Sequence, residues 1–216
     1  ITIIAEAISN GKIVGYFSGR MEYGPRALGG RSILGDPRNP KTQSRMNLKI
    51  KYRESFRPFA PSVMYDKVND YFDIEVESPY MMFVAPVRKR RRRKIAKNES
   101  SNLGNELYRI INQRRSDIPA VTHVDCSARI QTINPNDKKD YYELISKFEQ
   151  LTGYGVLVNT SFNVRGEPIV CSPHDAYICF MRTEMDILVL ENCILYKEDQ
   201  TELDKDISWK DEYELD

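Results

Sequence analysis

Apolar residues at helical spacing mark several segments of the chain as helices. The clearest segment is KKDYYELISKFEQLTG, in which Tyr142, Ile145, Phe148 and Leu151 would form one apolar face ahead of a terminal glycine. The last helical segment follows a serine cap and opens with a proline. We predict helices in TIIAEAISNG, PKTQSRMNLKIK, ELYRIINQRR, KKDYYELISKFEQLTG and PHDAYICFMRT.

Shorter runs of β-branched and aromatic residues predict strands between these segments. RPFAPSVM carries two prolines, which favours an extended segment or an edge strand over a helix. Strands and helices alternate without a regular βαβ repeat, so we predict a single mixed α/β (α+β) domain. The other predicted strands lie in KIVGYFSG, SILGDPRNP, PYMMFVAPV, AVTHV, RIQTI, GVLVNTSFN and DILVLENCILYK, the last forming two strands around a turn.

Charge is distributed unevenly along the 216 residues, although the net charge is only +1. Residues 19–57 carry ten Lys/Arg against three Asp/Glu, whereas residues 198–216 carry nine acids against two bases. The second segment predicts a solvated acidic C-terminal tail. No apolar run approaches the ~18 residues that would span a bilayer. Because the chain begins at Ile1 directly in a helix-like segment, we expect it to be a piece of a longer protein.

The cysteines and histidines do not form a recognisable metal site. Cys126, Cys171, Cys179 and Cys193 lack CxxC spacing, and the chain has only two histidines. We interpret the cysteines as reduced thiols of a cytoplasmic protein. His123 near Asp125 and a nucleophilic Cys126 are weaker interpretations than a structural histidine and a buried thiol.

A stretch rich in glycine and arginine, GRMEYGPRALGGRS at 19–32, is the first candidate for a binding site. Glycine lets the backbone approach a ligand closely, and the guanidinium groups of Arg20, Arg26 and Arg31 offer planar sets of donors. Together they predict contact with a negatively charged, flat group. An ordinary surface turn with solvated charges is the alternative.

Two further segments concentrate polar groups next to predicted strands. Lys51, Arg53 and Arg57 stand at i, i+2 and i+6, positions that share one side of an extended chain and could converge on an anion. No GxxxxGK[ST] motif occurs, which argues against a P-loop NTPase. An exposed ion pair of Arg53 with Glu54 and an ordinary Asx turn are the structural alternatives. The second region consists of the stretches HVDCSARIQT and NTSFNVRGEP. It contains Arg129, Asn159, Ser161, Asn163 and Arg165.

The run RKRRRRK at 88–94 consists of seven basic residues. Such a run suits phosphate groups of a nucleic acid, but no spaced aromatic residues for base stacking surround it. A polar stretch, NESSNLGN, follows it directly, and we therefore favour a mobile insertion over a nucleic-acid site.

Four long motifs follow one another along the chain: GRMEYGPRALGGRSILGDPR, KYRESFRPFAPSV, HVDCSARIQT and LVNTSFNVRGEPIVCSPHDA. In this order they resemble the C-terminal region of the O-carbamoyltransferases, which include the nodulation-type enzymes and the tobramycin and cephamycin carbamoyltransferases. The resemblance covers residues 1–197 and implies a YrdC-like domain, a twisted open sheet with flanking helices. Residues 88–115 would be a variable insertion and residues 198–216 the acidic tail.

The resemblance also implies a reaction. ATP and carbamoyl phosphate would bind here and give carbamoyl-adenylate and pyrophosphate. The carbamoyl group would then pass to a small hydroxyl acceptor held by an N-terminal Kae1-like lobe, whose iron-type metal has no site in this chain. Mg²⁺ is expected with ATP, although no carboxylate is an obvious ligand. A homodimer stays open as an oligomeric state, and no membrane partner is implied.

Residue roles follow from the same resemblance. The implied catalytic residues are Lys51, Arg57, Arg129 and Ser161, and the implied ligand-binding residues are Arg26, Arg31, Arg53, Asn159 and Asn163. The family usually has glycine where this chain has Cys126, so a positive φ there would strain the backbone. Two other readings stay open. One is a non-catalytic YrdC-like module that binds nucleic acid through residues 88–94. The other is an adenylation domain for tRNA modification or hydrogenase maturation, which the long GRMEYGPRALG match disfavours.

Overall fold

The computed structural model of the chain describes residues 1–94 and 113–202. Its helices are α1 (Thr2–Ser9), α2 (Pro40–Lys49), α3 (Val68–Tyr71), α4 (Lys139–Thr152) and α5 (Pro173–Arg182). Its strands are β1 (Val14–Phe17), β2 (Arg31–Gly35), β3 (Ala60–Met64), β4 (Phe83–Pro86), β5 (Ser127–Ile133), β6 (Val156–Ser161), β7 (Ile187–Leu190) and β8 (Cys193–Tyr196).

The strands form one mixed sheet in the order β4-β5-β3-β6-β2-β1-β7-β8. The pairs β1–β7 and β3–β5 are parallel, and the other neighbours are antiparallel. Strand β6 is the only link between β5-β3 on one side and β2-β1 on the other within this described sheet. The prediction of a single mixed α/β domain is confirmed.

Helices cover both faces of the sheet. Ile145 and Phe148 of α4 pack with Leu34 and Leu157 on one face, together with the buried side of α1. On the other face, the apolar sides of α2 and α5 pack on the sheet. Alternate residues of the central strands therefore enter opposite cores.

Most predicted elements form where the pattern places them, and their ends follow the expected signals. Gly153 adopts a φ of +78° at the end of α4. Ser172 and Asp175 form a capping box at the start of α5. The apolar face of α4 is shifted from the prediction, however: Tyr141 and Leu144 are buried beside Ile145 and Phe148, whereas Leu151 is 46% exposed.

One predicted strand does not form, and a second predicted segment lies in the interior of the sheet. AVTHV is no strand, because Pro119–Val121 forms a 3₁₀ turn that Thr122 closes by donating its hydroxyl to the Ile118 carbonyl at 2.9 Å. RPFAPSVM is extended as predicted, but β3 lies inside the sheet between β5 and β6. Pro61 is tolerated there because the pairing with β5 begins only at Ser62.

Several predictions fall wholly or mostly outside the described residues. The helix predicted in ELYRIINQRR overlaps them only at residues 113–115, and the acidic tail only at 198–202. The four cysteines lie within the described part and are all free thiols. Among the helices of this part, none combines the length and the apolar character that crossing a membrane requires.

Candidate functional site

A small pocket of about 150 Å³ opens where β3, β5 and β6 meet the glycine-arginine loop 19–30. Three arginines face it, and none of its described lining residues is acidic. Such a lining is complementary to an anion. The lining residues are Pro25, Arg26, Ala27, Arg53, Pro58, Phe59, Ala60, Met81, Arg129, Asn159, Thr160 and Ser161.

The loop is folded around a buried carboxylate. Oε1 of Glu22 accepts hydrogen bonds from the backbone N–H of Leu28 at 2.9 Å and of Gly30 at 2.6 Å. Gly29 has a φ of +105°, and a Cβ added there would lie 2.4 Å from Tyr141 Cδ1. Only glycine fits this position. The loop therefore has a defined conformation, which positions Arg26 at the pocket.

Arg129 extends from β5 into the same pocket as Arg26. Burial lowers the pKa of Arg129, and the positive charge of Arg26 lowers it further. Its Nε is buried and has no hydrogen-bond partner among the described residues. Two cations that disfavour each other in this way gain from an anion placed between them.

Lys51 lies next to the pocket-lining residue Ser161. It contacts both backbone and side-chain oxygens of Ser161 and Asn163. The Nζ atom donates to the carbonyl oxygens of Ser161 at 2.6 Å and Asn163 at 2.8 Å. It also reaches Asn163 Oδ1 at 2.6 Å and Ser161 Oγ at 3.2 Å. Lys51 is only 4% exposed, and burial lowers its pKa to about 7. Lys51, Ser161 and Asn163 thus form one cluster, in which Ser161 also lines the pocket.

The predicted convergence of Lys51, Arg53 and Arg57 is only partial. Arg53 lines the pocket, donates from Nε to Asn47 Oδ1 at 2.6 Å, and has its pKa lowered to about 10, first by burial. Arg57 lies outside the pocket lining, 4.0 Å from Glu54, with its side chain 53% exposed. The segment is not a straight strand, because Tyr52 adopts a φ of +47°.

Arg31 also lies outside the pocket lining. Its guanidinium stacks 3.3 Å from the ring centroid of Phe17 and donates to the carbonyls of Gly19 at 3.0 Å and Gly30 at 2.9 Å. These contacts tie the two ends of the glycine-arginine loop together. The geometry gives Arg31 a structural function, while its implied ligand contact stays a prediction.

Sequence reasoning missed Glu22 as the residue that folds the loop, and Ser62 and Gln131 as polar residues under the pocket. Ser62 and Gln131 are buried in β3 and β5 and are hydrogen-bonded to each other at 2.6 Å. One signal was available for Gln131, which follows Arg129 by two positions on a strand and so shares its face.

Arginines of the basic run 88–94 form ion pairs with acidic residues of the same chain. Arg91 stacks 3.9 Å from the ring centroid of Tyr71 and pairs with Asp117 at 2.7 Å. Arg88 and Arg90 pair with Asp73 and Asp70. These contacts neutralise part of the charge that a nucleic acid would use. Residues 95–112 of the predicted insertion lie outside the described part.

Cys126 occupies the turn before β5 with a φ of +63°, in the left-handed region. A positive φ was the concern at this position, because the family usually has glycine there. Ser127 donates its hydroxyl and backbone N–H to Asp125 across the turn. The backbone strain therefore lies three residues from Arg129. No group of three or more His, Cys, Asp or Glu residues able to hold a metal occurs in the described chain.

We expect Cys126→Gly to raise the free energy of unfolding by about 1 kcal/mol, since left-handed backbone costs other residues more than it costs glycine. Chemical denaturation would measure the change. Cys171→Gly is the matched control, because exposed Cys171 is not among the positive-φ residues and should lose stability on the same replacement. Equal or lower stability of Cys126→Gly would contradict the strain.

Comparison with known proteins identifies longer relatives of this chain. An uncharacterised protein of Synechocystis sp. is 59% identical over 99% of this chain, and the chain spans 34% of it. The 3'-hydroxymethylcephem-O-carbamoyltransferase of Amycolatopsis lactamdurans is 35% identical, with 86% of this chain and 31% of that protein covered. The chain therefore spans about a third of the length of these relatives.

The fold is also found in a solved structure. Full-length HypF, in its phosphate- and nucleotide-bound form, matches 88% of this chain and 20% of its own length with a TM-score of 0.52 and 17% identity. This likeness concerns the fold alone, and it confirms the predicted YrdC-like architecture. The family model "Carbamoyltransferase C-terminus" matches residues 5–197. The resemblance drawn from the four motifs is confirmed, and the chain belongs to the carbamoyltransferase C-terminus family.

Proposed function

We propose that this chain binds carbamoyl phosphate and ATP and forms carbamoyl-adenylate for transfer to a hydroxyl acceptor. The observation that carries the proposal is the pocket in which Arg26, Arg53 and Arg129 converge without a lining carboxylate in the described chain. Membership in the carbamoyltransferase C-terminus family supports the carbamoyl group as the transferred unit. The acceptor site belongs, in this proposal, to the part of the longer relatives that the chain does not span.

The reaction balances in three steps. Water first releases orthophosphate from carbamoyl phosphate and leaves carbamate. A carbamate oxygen then attacks the α-phosphorus of ATP, forming the new P–O bond while the bond to pyrophosphate breaks. The acceptor hydroxyl later attacks the carbamoyl carbon, loses its proton and displaces AMP.

The residues of the site would supply charge and position. Arg26 and Arg129 would neutralise phosphate oxygens as negative charge shifts to the leaving group. The hydroxyl of Ser161 donates to Asn163 Oδ1 at 2.7 Å in this structure and would turn to an oxygen of the ligand, while Lys51 holds the carbonyls of Ser161 and Asn163 in place. The described pocket has no carboxylate to hold Mg²⁺, so its residues do not fit a protein-bound Mg²⁺.

We expect ATP and carbamoyl phosphate together to raise the melting temperature of this chain by several degrees. A ligand at 100 times its Kd adds about 2.7 kcal/mol to the free energy of unfolding. Differential scanning fluorimetry with each ligand alone and with both would measure the shift. Lys41→Ala, which removes a positive charge outside the pocket, should shift like the wild type. A well-folded protein that responds to neither ligand, alone or together, would contradict the proposal.

A further inference from the structure

Three buried polar side chains form a hydrogen-bonded row beneath the pocket, across the neighbouring strands β3, β5 and β6. Oε1 of Gln131 accepts from Ser62 Oγ at 2.6 Å and from Asn159 Nδ2 at 2.8 Å. None of the three residues is more than 1% exposed. Asn159 also lines the pocket, so the row connects the interior of the sheet to the candidate site.

Backbone carbonyls of the glycine-arginine loop fix the orientation of both amides. Nε2 of Gln131 donates to the Leu28 carbonyl at 2.9 Å, and Nδ2 of Asn159 donates to the Ala27 carbonyl at 3.0 Å. A carbonyl oxygen can only accept, so a nitrogen must face it in each case. Gln131 therefore turns its oxygen to Asn159, and both donors of the Asn159 amide are used within the protein.

This arrangement leaves one acceptor unused. Asn159 Oδ1 is buried and has no hydrogen-bond partner among the described residues, and the same holds for the donor Arg129 Nε. Asn159 is paired with Ala60, and the register of Ser62 with Gln131 places Arg129 beside Ala60 on the other strand. Asn159 and Arg129 therefore belong to the same face of the sheet, on either side of a small side chain.

A ligand that carries both an acceptor and a donor can pair with Arg129 Nε and Asn159 Oδ1 at once. A fully ionised phosphoryl group has only acceptors and can satisfy the arginines, but it cannot donate to Asn159 Oδ1. A carbamoyl group carries a carbonyl oxygen that accepts and an amine that donates, both on one carbon. An acetyl group has the carbonyl oxygen but replaces the amine with a methyl group.

We propose that Asn159, oriented by Gln131, determines the specificity of the pocket by accepting a hydrogen bond from the amine of a carbamoyl group whose carbonyl oxygen lies on Arg129. The inference rests on the proposed function and adds to it the basis of ligand choice. An acyl phosphate without an N–H leaves the buried Oδ1 unpaired, and sites of this kind reject the analogue that lacks the donor. Gln131 is the positioning residue of the pair.

The test compares carbamoyl phosphate with acetyl phosphate, which differ only in the amine and the methyl group. Isothermal titration calorimetry with a non-hydrolysable ATP analogue present gives the Kd of each for the full chain. We expect the wild type to bind carbamoyl phosphate at least about tenfold more tightly than acetyl phosphate. In Asn159→Leu the two Kd values should agree within about threefold, because a side chain of similar size replaces the acceptor.

Thr160→Val is the matched control, because Thr160 follows Asn159 on β6, its side chain belongs to the opposite face of the strand, and its replacement should leave the ratio of the two Kd values unchanged. A general disturbance of the loop by Asn159→Leu would weaken both ligands alike and would not change that ratio. A preference retained in folded Asn159→Leu would overturn the inference, and so would a wild type without preference, whether or not the variant folds. Both results leave the proposed function standing, whereas a wild type that binds neither ligand overturns both.

Discussion

Replacing Arg129 with alanine should weaken the binding of carbamoyl phosphate in the presence of an ATP analogue by about 100-fold. Each charge-assisted hydrogen bond to a phosphate or carbonyl oxygen contributes roughly 1.5–3 kcal/mol in a site with little water. Arg129 is half-buried in the pocket and its Nε has no partner in the described chain, so the ligand supplies what the protein lacks. Isothermal titration calorimetry measures the change.

The stability of the ligand-free protein should not fall in Arg129→Ala. Burial and the charge of Arg26 both disfavour the charged guanidinium, so its removal relieves an unfavourable interaction. Weaker ligand binding without a loss of stability would distinguish a binding residue from a structural one. Arg129→Lys keeps the charge but loses the planar set of donors, and we expect binding to weaken about tenfold.

Lys41→Ala is the control for net charge, because Lys41 is exposed at the start of α2 and lies outside the pocket lining. It should change the Kd less than about twofold. Unchanged affinity in a folded Arg129→Ala variant would refute the assignment of Arg129 to the binding site.

The second large effect concerns pH and Lys51. Burial lowers the pKa of Lys51 from its ordinary value of 10.5 to about 7. Between these values the unfolded chain binds a proton that the folded protein does not, so the free energy of unfolding rises with pH. The contribution of Lys51 is complete above pH 10.5 and is lost as the pH falls through 7. Its maximal slope is about 1.4 kcal/mol per pH unit, and its total over the interval is about 5 kcal/mol.

Urea denaturation of the wild type and Lys51→Met at pH 7, 8 and 9 measures this contribution. We expect the difference in free energy of unfolding between the two proteins to grow with pH at about 1 kcal/mol per unit. Lys41→Met is the matched control, since an exposed lysine leaves the slope unchanged. Parallel pH profiles of the wild type and Lys51→Met would contradict a lowered pKa at Lys51.

The polar residues of the site could be predicted from the sequence because they lie in motifs that are recognisable by their glycines and arginines. Arg26, Arg53, Arg129, Asn159 and Ser161 were predicted, and the structure brings all five to one pocket. Arg26 lies in the glycine-rich loop and Arg53 in the segment between α2 and β3. The other three lie near the start of β5 or the end of β6, where side chains can leave the core. Arg57 lies outside the pocket because a local backbone turn, rather than residue type, sets its direction.

The hydrogen-bonded row could not be predicted in the same way. Ser62 and Gln131 become partners only through the register of two parallel strands that are far apart in sequence. Register depends on the whole sheet, and a polar residue in a strand looks the same whether it faces water or a buried partner. The apolar face of α4 shifted for a related reason, since contact with the loop at Gly29 places Tyr141 rather than Leu151 inside.

The central position of β6 has a consequence for how the protein folds. Its neighbours β3 and β2 both precede it in the sequence but do not pair with each other. The two halves of the sheet are therefore joined only when residues 156–161 pair with both strands. Until then, each partial sheet has an unpaired edge that can join another chain. Contacts of this sequence separation are slow to form. Pairing of β6 with both neighbours therefore closes two edges prone to aggregation and completes the lining of the pocket in one step.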